Sequence, residues 1–442
     1  MTPRLAALQV LLAIEQGGIT LAAALEQARR HVPDDRDRGL MVELATGTLR
    51  WRAELNALLA ACSTRPIEKL TPPIRAILQL TAYQLEHLDR IPAHAALHEA
   101  VEMARAAGEP RAAGFVNAVL RTFQRTRAAL TLPDRQVPLA FLSTTLSHPS
   151  WLVERWVARH GFDAAEQWCR FNNSAPEVTI RSVGRWTASE LLARTRDIEP
   201  AAAPARFVGD AIVLPPGTLG QLPPEVSDEL LVQDEASQIV AHAVGAEPGQ
   251  HVLDLCAAPG AKTIVLSQAL DTRGRLVACD YRASRVRLLG RMLRRAGADA
   301  LVVRLDATQP LPFGAIFDRV FVDAPCSGLG IIRRDPDLKW SRQPGDLAGF
   351  ALAQQRMLAQ AAEVVAPGGR LIYATCSSEP DENDEVVDAF LASRSDFAEA
   401  PLVFGPTVRD SEPLVDARGK LRTLPFRDGL DAFFAAALVR RV

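Results

Sequence analysis

The sequence predicts a multidomain chain: an all-α bundle, a small α+β segment, then an α/β body on a doubly wound, mainly parallel sheet. Three observations carry this. The chain has 442 residues, too many for one ordinary hydrophobic core. Over roughly the first 125 residues, apolar positions recur at helical spacing. From His251 onward, short β-branched runs alternate with helical patterns, and four of those runs carry or end in an aspartate. Domains are expected over 1–130, 145–232 and 233–442.

In the first region Leu5, Leu8, Leu11 and Leu12 lie on one helical face, and Gly17-Gly18 ends that helix. Thr20 is placed to cap a helix over Leu21 to Arg30. Thr71-Pro72 offers a capping hydroxyl and a first-turn proline ahead of Ile74, Ile77, Leu78 and Tyr83. A helix from Ala93 ends at Gly108, and Gly114-Phe-Val-Asn-Ala-Val-Leu-Arg121 opens the last one. The sequence does not repeat with a period of 20 to 50 residues, so a bundle is expected and a solenoid is not. The phrase Phe115-Val-Asn-Ala-Val-Leu-Arg121 resembles the terminal-helix signature of the NusB family of RNA-binding antitermination factors. The resemblance implies that this region supplies RNA affinity or docking.

Pro133, Pro138 and Pro149 mark a connector over about 126–150. A helical stretch with Trp151, Trp156 and Trp168 follows. Tryptophans at helical spacing suit a core better than a base-stacking platform. Asn172 to Arg181 reads as a loop feeding a strand, and the small α+β segment ends in a proline-rich stretch over 200–224. Asp234 or Ser237 is placed to cap the next helix.

The α/β body then unfolds strand by strand. Val252 to Cys256 is a buried strand, Ala257 to Ala261 a small-residue turn, and Thr263 to Leu270 a helix. Arg275 to Asp280, Leu301 to Asp306, Val320 to Asp323 and Arg370 to Cys376 are the further strands. Beyond the fourth, apolar character gives way at once to Asp323-Ala-Pro-Cys-Ser-Gly328, a carboxylate, a thiol and a hydroxyl. In open α/β sheets, ligands bind just beyond such carboxyl ends.

Composition narrows the class. Lys plus Arg total 50 and Asp plus Glu 52, a formal charge of −2, which argues against a tail-driven polyanion binder. The six cysteines lie far apart without a C-x-x-C, which argues against zinc and against a secreted disulfide framework. With no signal segment or membrane-length apolar run, a cytoplasmic protein is expected, a monomer with neither metal nor membrane partner.

The turn after the first strand selects among nucleotide cofactors. A dinucleotide fold needs G-x-G-x-x-G, and Cys256-Ala-Ala-Pro-Gly-Ala261 has one glycine. A phosphate loop needs glycines where Cys256 and Ala261 stand, although Lys262-Thr263 mimics its end. S-adenosylmethionine fits better, because its α-amino group, ribose diol and adenine edge all present donors to carboxylates. Asp280, 26 residues after Asp254, sits where a ribose diol would be met, and Asp306 is placed to accept from the adenine amino group.

Together Cys256-Ala-Ala-Pro-Gly-Ala-Lys262, Asp323-Ala-Pro-Cys-Ser-Gly328 and Tyr373-Ala-Thr-Cys-Ser377 resemble the NOL1/NOP2/Sun family of RNA cytosine-5 methyltransferases. With the NusB-like front, the resemblance points to the bacterial Sun/Fmu branch, which modifies 16S rRNA. It implies a Rossmann-like class I methyltransferase domain over 233–442, whose cofactor residues are Cys256, Ala257, Ala258, Pro259, Gly260, Ala261, Lys262, Asp280, Asp306 and Asp323. Two departures stand out. Ala261 replaces the family's second glycine, and Gly429-Leu-Asp-Ala-Phe-Phe434 spreads out its compact Asp-Gly-Phe-Phe.

C5 of cytosine is a weak nucleophile until a thiolate adds across C6, which divides one hard step into easier ones. Cys326 and Cys376 both follow strand ends, and the residues alone leave open which attacks. The resemblance makes Cys376 the nucleophile and Cys326 the residue that helps release product, with Asp323 orienting the base and Lys262 beside it. Arg333, Arg334 and Lys339, just past the catalytic loop, are candidates for RNA phosphates. The target cytosine must be unpaired or flipped out. Two other readings are an RNA-binding, antitermination-type factor with an inactive methyltransferase body, and a methyltransferase for another RNA.

Overall fold

The computed structural model describes residues 1–184 and 186–442. It has the expected order of elements: an all-α bundle, an α+β segment and a doubly wound sheet. The chain divides into two compact units, 1–174 with 332–341, and 175–331 with 342–442.

The first unit is helical: α1 (Pro3–Gln16), α2 (Leu21–Arg29), α3 (Asp35–Arg50), α4 (Arg52–Ala60), α5 (Pro72–His87), α6 (Ala93–Ala106), α7 (Ala113–Thr126), α8 (Ser150–His160) and α9 (Phe162–Asn173). Thr2, Thr20 and Asp34 cap their helices by accepting from first-turn amides. Thr71 makes no such bond, contrary to expectation, and α5 starts on the fixed φ of its first-turn prolines. α5 is the hub. It packs against α1, α3, α4, α6 and α7, which is why its buried residues run almost all the way round. At Gly47 on α3 a Cβ would lie 2.0 Å from the Tyr83 ring, so only glycine admits that close approach. Trp156 and Trp168 are fully buried and stack at 4.6 Å between centroids, as core side chains.

The expected connector is itself packed. Phe141–Thr145 form a π-helical turn, Phe141 and Leu142 are buried, and Ser147 Oγ accepts from the Ala53 amide at 2.9 Å. A single turn is too short to show periodicity. Helices α8 and α9 also belong to this unit.

Residues 332–341 fold into the helical unit as well. Arg50 Nη2 donates to Arg333 O at 3.2 Å, Lys339 Nζ to Arg50 O at 2.8 Å, and Trp340 Nε1 to Leu49 O at 2.6 Å. Arg333 is buried with its guanidinium over the Phe171 ring, and Lys339 has no exposed surface. Two of the three expected phosphate contacts are therefore buried side chains tied into the helical unit. Only Arg334 is partly exposed.

In the second unit, β1 (Val178–Ser182), β2 (Ala203–Pro204), β3 (Ala211–Leu214) and β4 (Leu230–Val232) form an antiparallel sheet in the order β2-β3-β1-β4. Helix α10 (Ala188–Arg196), opened by a Thr187–Glu190 capping box, buries Leu191 against Ile180, Ile212 and Leu214. Asp234 caps α11 (Glu235–His242).

The large sheet contains β5 (His251–Asp254), β6 (Arg275–Asp280), β7 (Leu301–Arg304), β8 (Phe317–Asp323), β9 (Val365–Thr375), β10 (Phe397–Ala400), β11 (Leu421–Arg422) and β12 (Phe434–Arg440). Its order is β10-β12-β9-β8-β5-β6-β7, with β11 also on β12. Strands β5 to β9 pair parallel, while β12 runs antiparallel to β9 and β10. The crossover helices are α12 (Ala261–Leu270), α13 (Ala283–Arg295), α14 (Asp346–Val364) and α15 (Asp384–Ser393). The last strands escaped the sequence reading, because Ala435-Ala-Ala437 has little intrinsic β preference and is held as strand by burial between neighbours. The strand order reverses between the parallel neighbours β5 and β8, which makes their carboxyl ends the switch point of the sheet.

Burial, with a smaller contribution from the Arg50 charge, holds the Lys339 amine well below the ordinary lysine range. The unfolded chain then binds the extra proton, so this group's contribution to stability grows as pH rises toward lysine's usual ~10.4 and is lost as pH falls. Denaturant titrations from about pH 6 to about pH 10 should show stability rising more steeply in the wild type than in Lys339→Met. RNA affinity should stay within about twofold in the same variant, since a buried amine neutralises no phosphate.

Candidate active site

Every chemically active side chain singled out in the α/β body stands at the carboxyl edge of the sheet. The turn Cys256-Ala-Ala-Pro-Gly-Ala261 leaves β5 with Ala257 and Ala258 buried, and Ala257 N donates to Cys279 O at 2.8 Å. Gly260 has φ +116°, and a Cβ there would meet Leu289 Cδ1 at 3.0 Å, so glycine lets the chain swing into α12. The methyl of Ala261 packs against the apolar cluster of Ile264, Leu289 and Leu293.

Asp280 ends β6 and is nearly buried. Its carboxylate accepts from the amides of Ala258 and Arg282 and from Arg285 Nε at 3.1 Å, which fixes it beside the turn. Arg285 also donates to Ala258 O, so this arginine of α13 is a brace for the turn. Asp306 lies two residues past β7 and accepts from the amide and hydroxyl of Thr308 at 2.9 and 2.7 Å.

Asp254 is fully buried at the end of β5. Oδ2 accepts from Thr263 Oγ1 at 2.7 Å, and Oδ1 has no hydrogen-bond partner among the described residues. Burial, opposed by the Thr263 bond and reinforced by Asp323, pushes its pKa up to about 7. Lys262 Nζ donates to Asp323 Oδ2 at 2.8 Å and stands 5.5 Å above the Phe433 ring. Burial alone would depress this ammonium, but Asp323, Cys376 and Asp254 outweigh it and raise its pKa, so it stays charged. Phe433 comes from the spread-out segment near the C-terminus.

Cys326 Sγ and Cys376 Sγ are 3.0 Å apart. The hydrogen bond to Cys376, then burial, holds the Cys326 thiol well above the ordinary range, so it stays protonated; either sulfur can donate in this contact. Cys256 is likewise pushed up, by burial and by Asp254, Asp323 and Asp280, and is inert packing at neutral pH. Gly330 joins the loops. Its N–H donates to Cys376 O and its carbonyl accepts from Ala432 N, both at 2.9 Å, and a Cβ would fall 1.9 Å from Ala432 O.

The expected residues Lys262, Asp323, Cys326 and Cys376 are thus brought together. The sequence reading missed Glu382, Ser327, Ser377 and Gln354, which form a buried hydrogen-bonded cluster directly behind the two thiols. A glutamate six residues past Cys376 was the available signal. A cavity of about 830 Å³ opens at the opposite, amino-terminal ends of β5, β6 and β7, lined by His251, Gly274, Arg275 and Leu301. The thiols and carboxylates place the chemistry at the other edge.

This strand order, with an antiparallel strand inserted beside β9, together with carboxylates at consecutive strand ends, defines a class I S-adenosylmethionine-dependent methyltransferase. The residues fit that cofactor: the turn is apolar, Asp280 is fixed at its rim, and Asp254 keeps a buried acceptor unpaired among the described residues.

The profile of the 16S rRNA methyltransferase RsmB/F family matches residues 241–439, that of the NusB family residues 1–125, and that of the RsmF/B-like ferredoxin-like domain residues 148–217. The probable ribosomal RNA small subunit methyltransferase B of Bacillus subtilis (strain 168) is 34% identical over 450 residues, covering 98% of each chain. The ribosomal RNA small subunit methyltransferase B of Pseudomonas syringae pv. tomato is 36% identical, covering 100% of this chain and 97% of its own. Among solved structures, that of PH0851 superposes with a TM-score of 0.82 at 23% identity over 99% of both chains. NSun6 from Pyrococcus horikoshii with SFG gives 0.56 at 16% identity, over 66% of this chain and 98% of its own. The chain belongs to the ribosomal RNA small subunit methyltransferase B family.

Asp254 yields a pH test. The folded protein holds its proton more tightly than the unfolded chain, so this stabilisation is full below about pH 4 and is lost as pH rises to about 7. Without cofactor, Asp254→Asn should be more stable than the wild type at pH 8, on the order of 2–4 kcal/mol, and the gap should shrink toward pH 5. Thermal melts across that range check it.

Proposed function

We propose that this protein transfers a methyl group from S-adenosylmethionine to C5 of an unpaired or flipped-out cytosine in 16S rRNA, through a covalent bond between Cys376 and C6. It acts as a cytoplasmic monomer, and the helical bundle contributes RNA affinity. The names of the small-subunit methyltransferase relatives support the substrate class. The observation that carries the chemistry is the pair of thiols 3.0 Å apart beside a Lys262–Asp323 ion pair.

Position supports each role. Asp323, held by Lys262, accepts from the N4 amino edge of the base and orients it. The Lys262 charge lies within electrostatic reach of Cys376, the setting a nucleophilic thiolate needs. The Cys376 thiolate adds to C6, its electron pair forming the S–C6 bond, and the displaced ring electrons make C5 nucleophilic. S-adenosylmethionine, when bound by the 256–262 turn with Asp280 and Asp306, supplies an electrophilic methyl group. After methylation the C5 proton leaves to water, its electron pair restores the C5–C6 double bond, and the S–C6 bond breaks. The Cys326 thiol, whose sulfur lies 3.0 Å from that of Cys376, is within reach to donate its S–H to the departing thiolate, which supports a part for Cys326 in release. Arg334 is the remaining candidate for a phosphate contact just past this loop.

Two variants test the reading on a small-subunit rRNA transcript with S-adenosylmethionine. Cys376→Ala should lose methylation and any covalent protein–RNA adduct, with rates down at least ~1,000-fold. Cys326→Ala should form the adduct and accumulate it on denaturing gels. Methylation surviving in Cys376→Ala would overturn the assignment.

A further inference from the structure

We infer that Glu382 is the positioning residue that holds the Cys326 and Cys376 loops in register for the reaction. This rests on the two-thiol reading above and adds to it a residue that touches neither base nor cofactor.

Glu382 is fully buried at the end of the 3-10 turn Pro380–Glu382. Its carboxylate accepts from both cysteine loops at once. Oε1 receives the amide of Ser327, the residue after Cys326, at 2.8 Å. Oε2 receives the hydroxyl of Ser327 and the hydroxyl of Ser377, the residue after Cys376. The two hydroxyl oxygens are themselves 3.1 Å apart. Gln354 braces the arrangement from α14, donating to Oε1 at 3.1 Å and to Pro325 O at 3.0 Å. The backbone is pinned too: Tyr373 OH donates to Glu382 O, and Asn383 Nδ2 donates to Ser377 O at 3.0 Å.

A carboxylate offers about four acceptor sites, and here two loops and one helix fill four of them. An unsupported loop pair would let the thiols drift, and an error of about 1 Å at reacting atoms costs up to ~100-fold in rate. Reach decides the outcome more than charge. Glutamine keeps the length, and serine hydroxyls can turn to accept from its amide. Aspartate keeps the charge but falls one methylene short of the two loops.

The test uses the full chain, a small-subunit rRNA transcript and S-adenosylmethionine. Glu382→Asp should lower kcat by about tenfold or more with KM for S-adenosylmethionine within about twofold, and Glu382→Gln should recover most of that loss. In a Cys326→Ala background, Glu382→Asp should slow adduct formation by a similar factor. Where Glu382→Asp fails to fold, the Ser327→Ala/Ser377→Ala double variant takes its place and should lose kcat at unchanged KM. Wild-type kcat in Glu382→Asp, or in the folded double serine variant, overturns the inference. So does a loss of kcat accompanied by equal loss of cofactor binding. Failure of Cys326→Ala alone to accumulate adduct would instead count against the two-thiol reading, whatever Glu382 does.

Discussion

The site depends on one constraint: β8 and β9 are parallel neighbours whose following loops turn over the same edge of the sheet. Their register, with Asp323 opposite Ala374, sets Cys326 and Cys376 each within a few residues past that edge. The loops then close on each other through the Gly330 N–H and the Cys376 carbonyl. Close packing at this crossing leaves no room for a side chain at Gly330. The sulfurs meet because the backbones do.

Around that contact, charges are paired or hydrogen-bonded. Lys262 and Asp323 neutralise each other, and Arg285 covers Asp280. Burial leaves Asp254 largely protonated below neutrality. The same carboxylates that repel a phosphate-rich cofactor present acceptors to one rich in donors. The departures from the family pattern are absorbed locally: the Ala261 methyl joins an existing apolar cluster, and the spread-out C-terminal segment places Phe433 under Lys262.

Residues 332–341 show how a basic composition can mislead. Arg333 and Lys339 follow the Cys326 loop and look like phosphate contacts, yet the Lys339 amine donates to Arg50 O and the Arg333 guanidinium lies over the Phe171 ring, both in the helical unit. A lysine whose amine meets a helix-end carbonyl in a dry interior is a tie, and the chain enters the helical unit at that point to make it. No local pattern distinguishes such a lysine from a solvated one, because its partner lies nearly three hundred residues away.

The amino-acid sequence by itself determined the helices of the bundle, the parallel strands, the turn after β5 and the place of two cysteines just past neighbouring strand ends. These are readable because periodicity, capping and turn chemistry act between residues a few positions apart. Helix starts at Thr20 and Asp234 were legible for that reason, while the alanine-rich β12 was not. Only the tertiary structure decided that Cys326 meets Cys376 across 50 residues, that Glu382 ties their loops together, and that Lys339 is buried. Those contacts follow from strand order and from where the chain crosses between units, and both are set by which surfaces bury one another rather than by any short stretch of sequence.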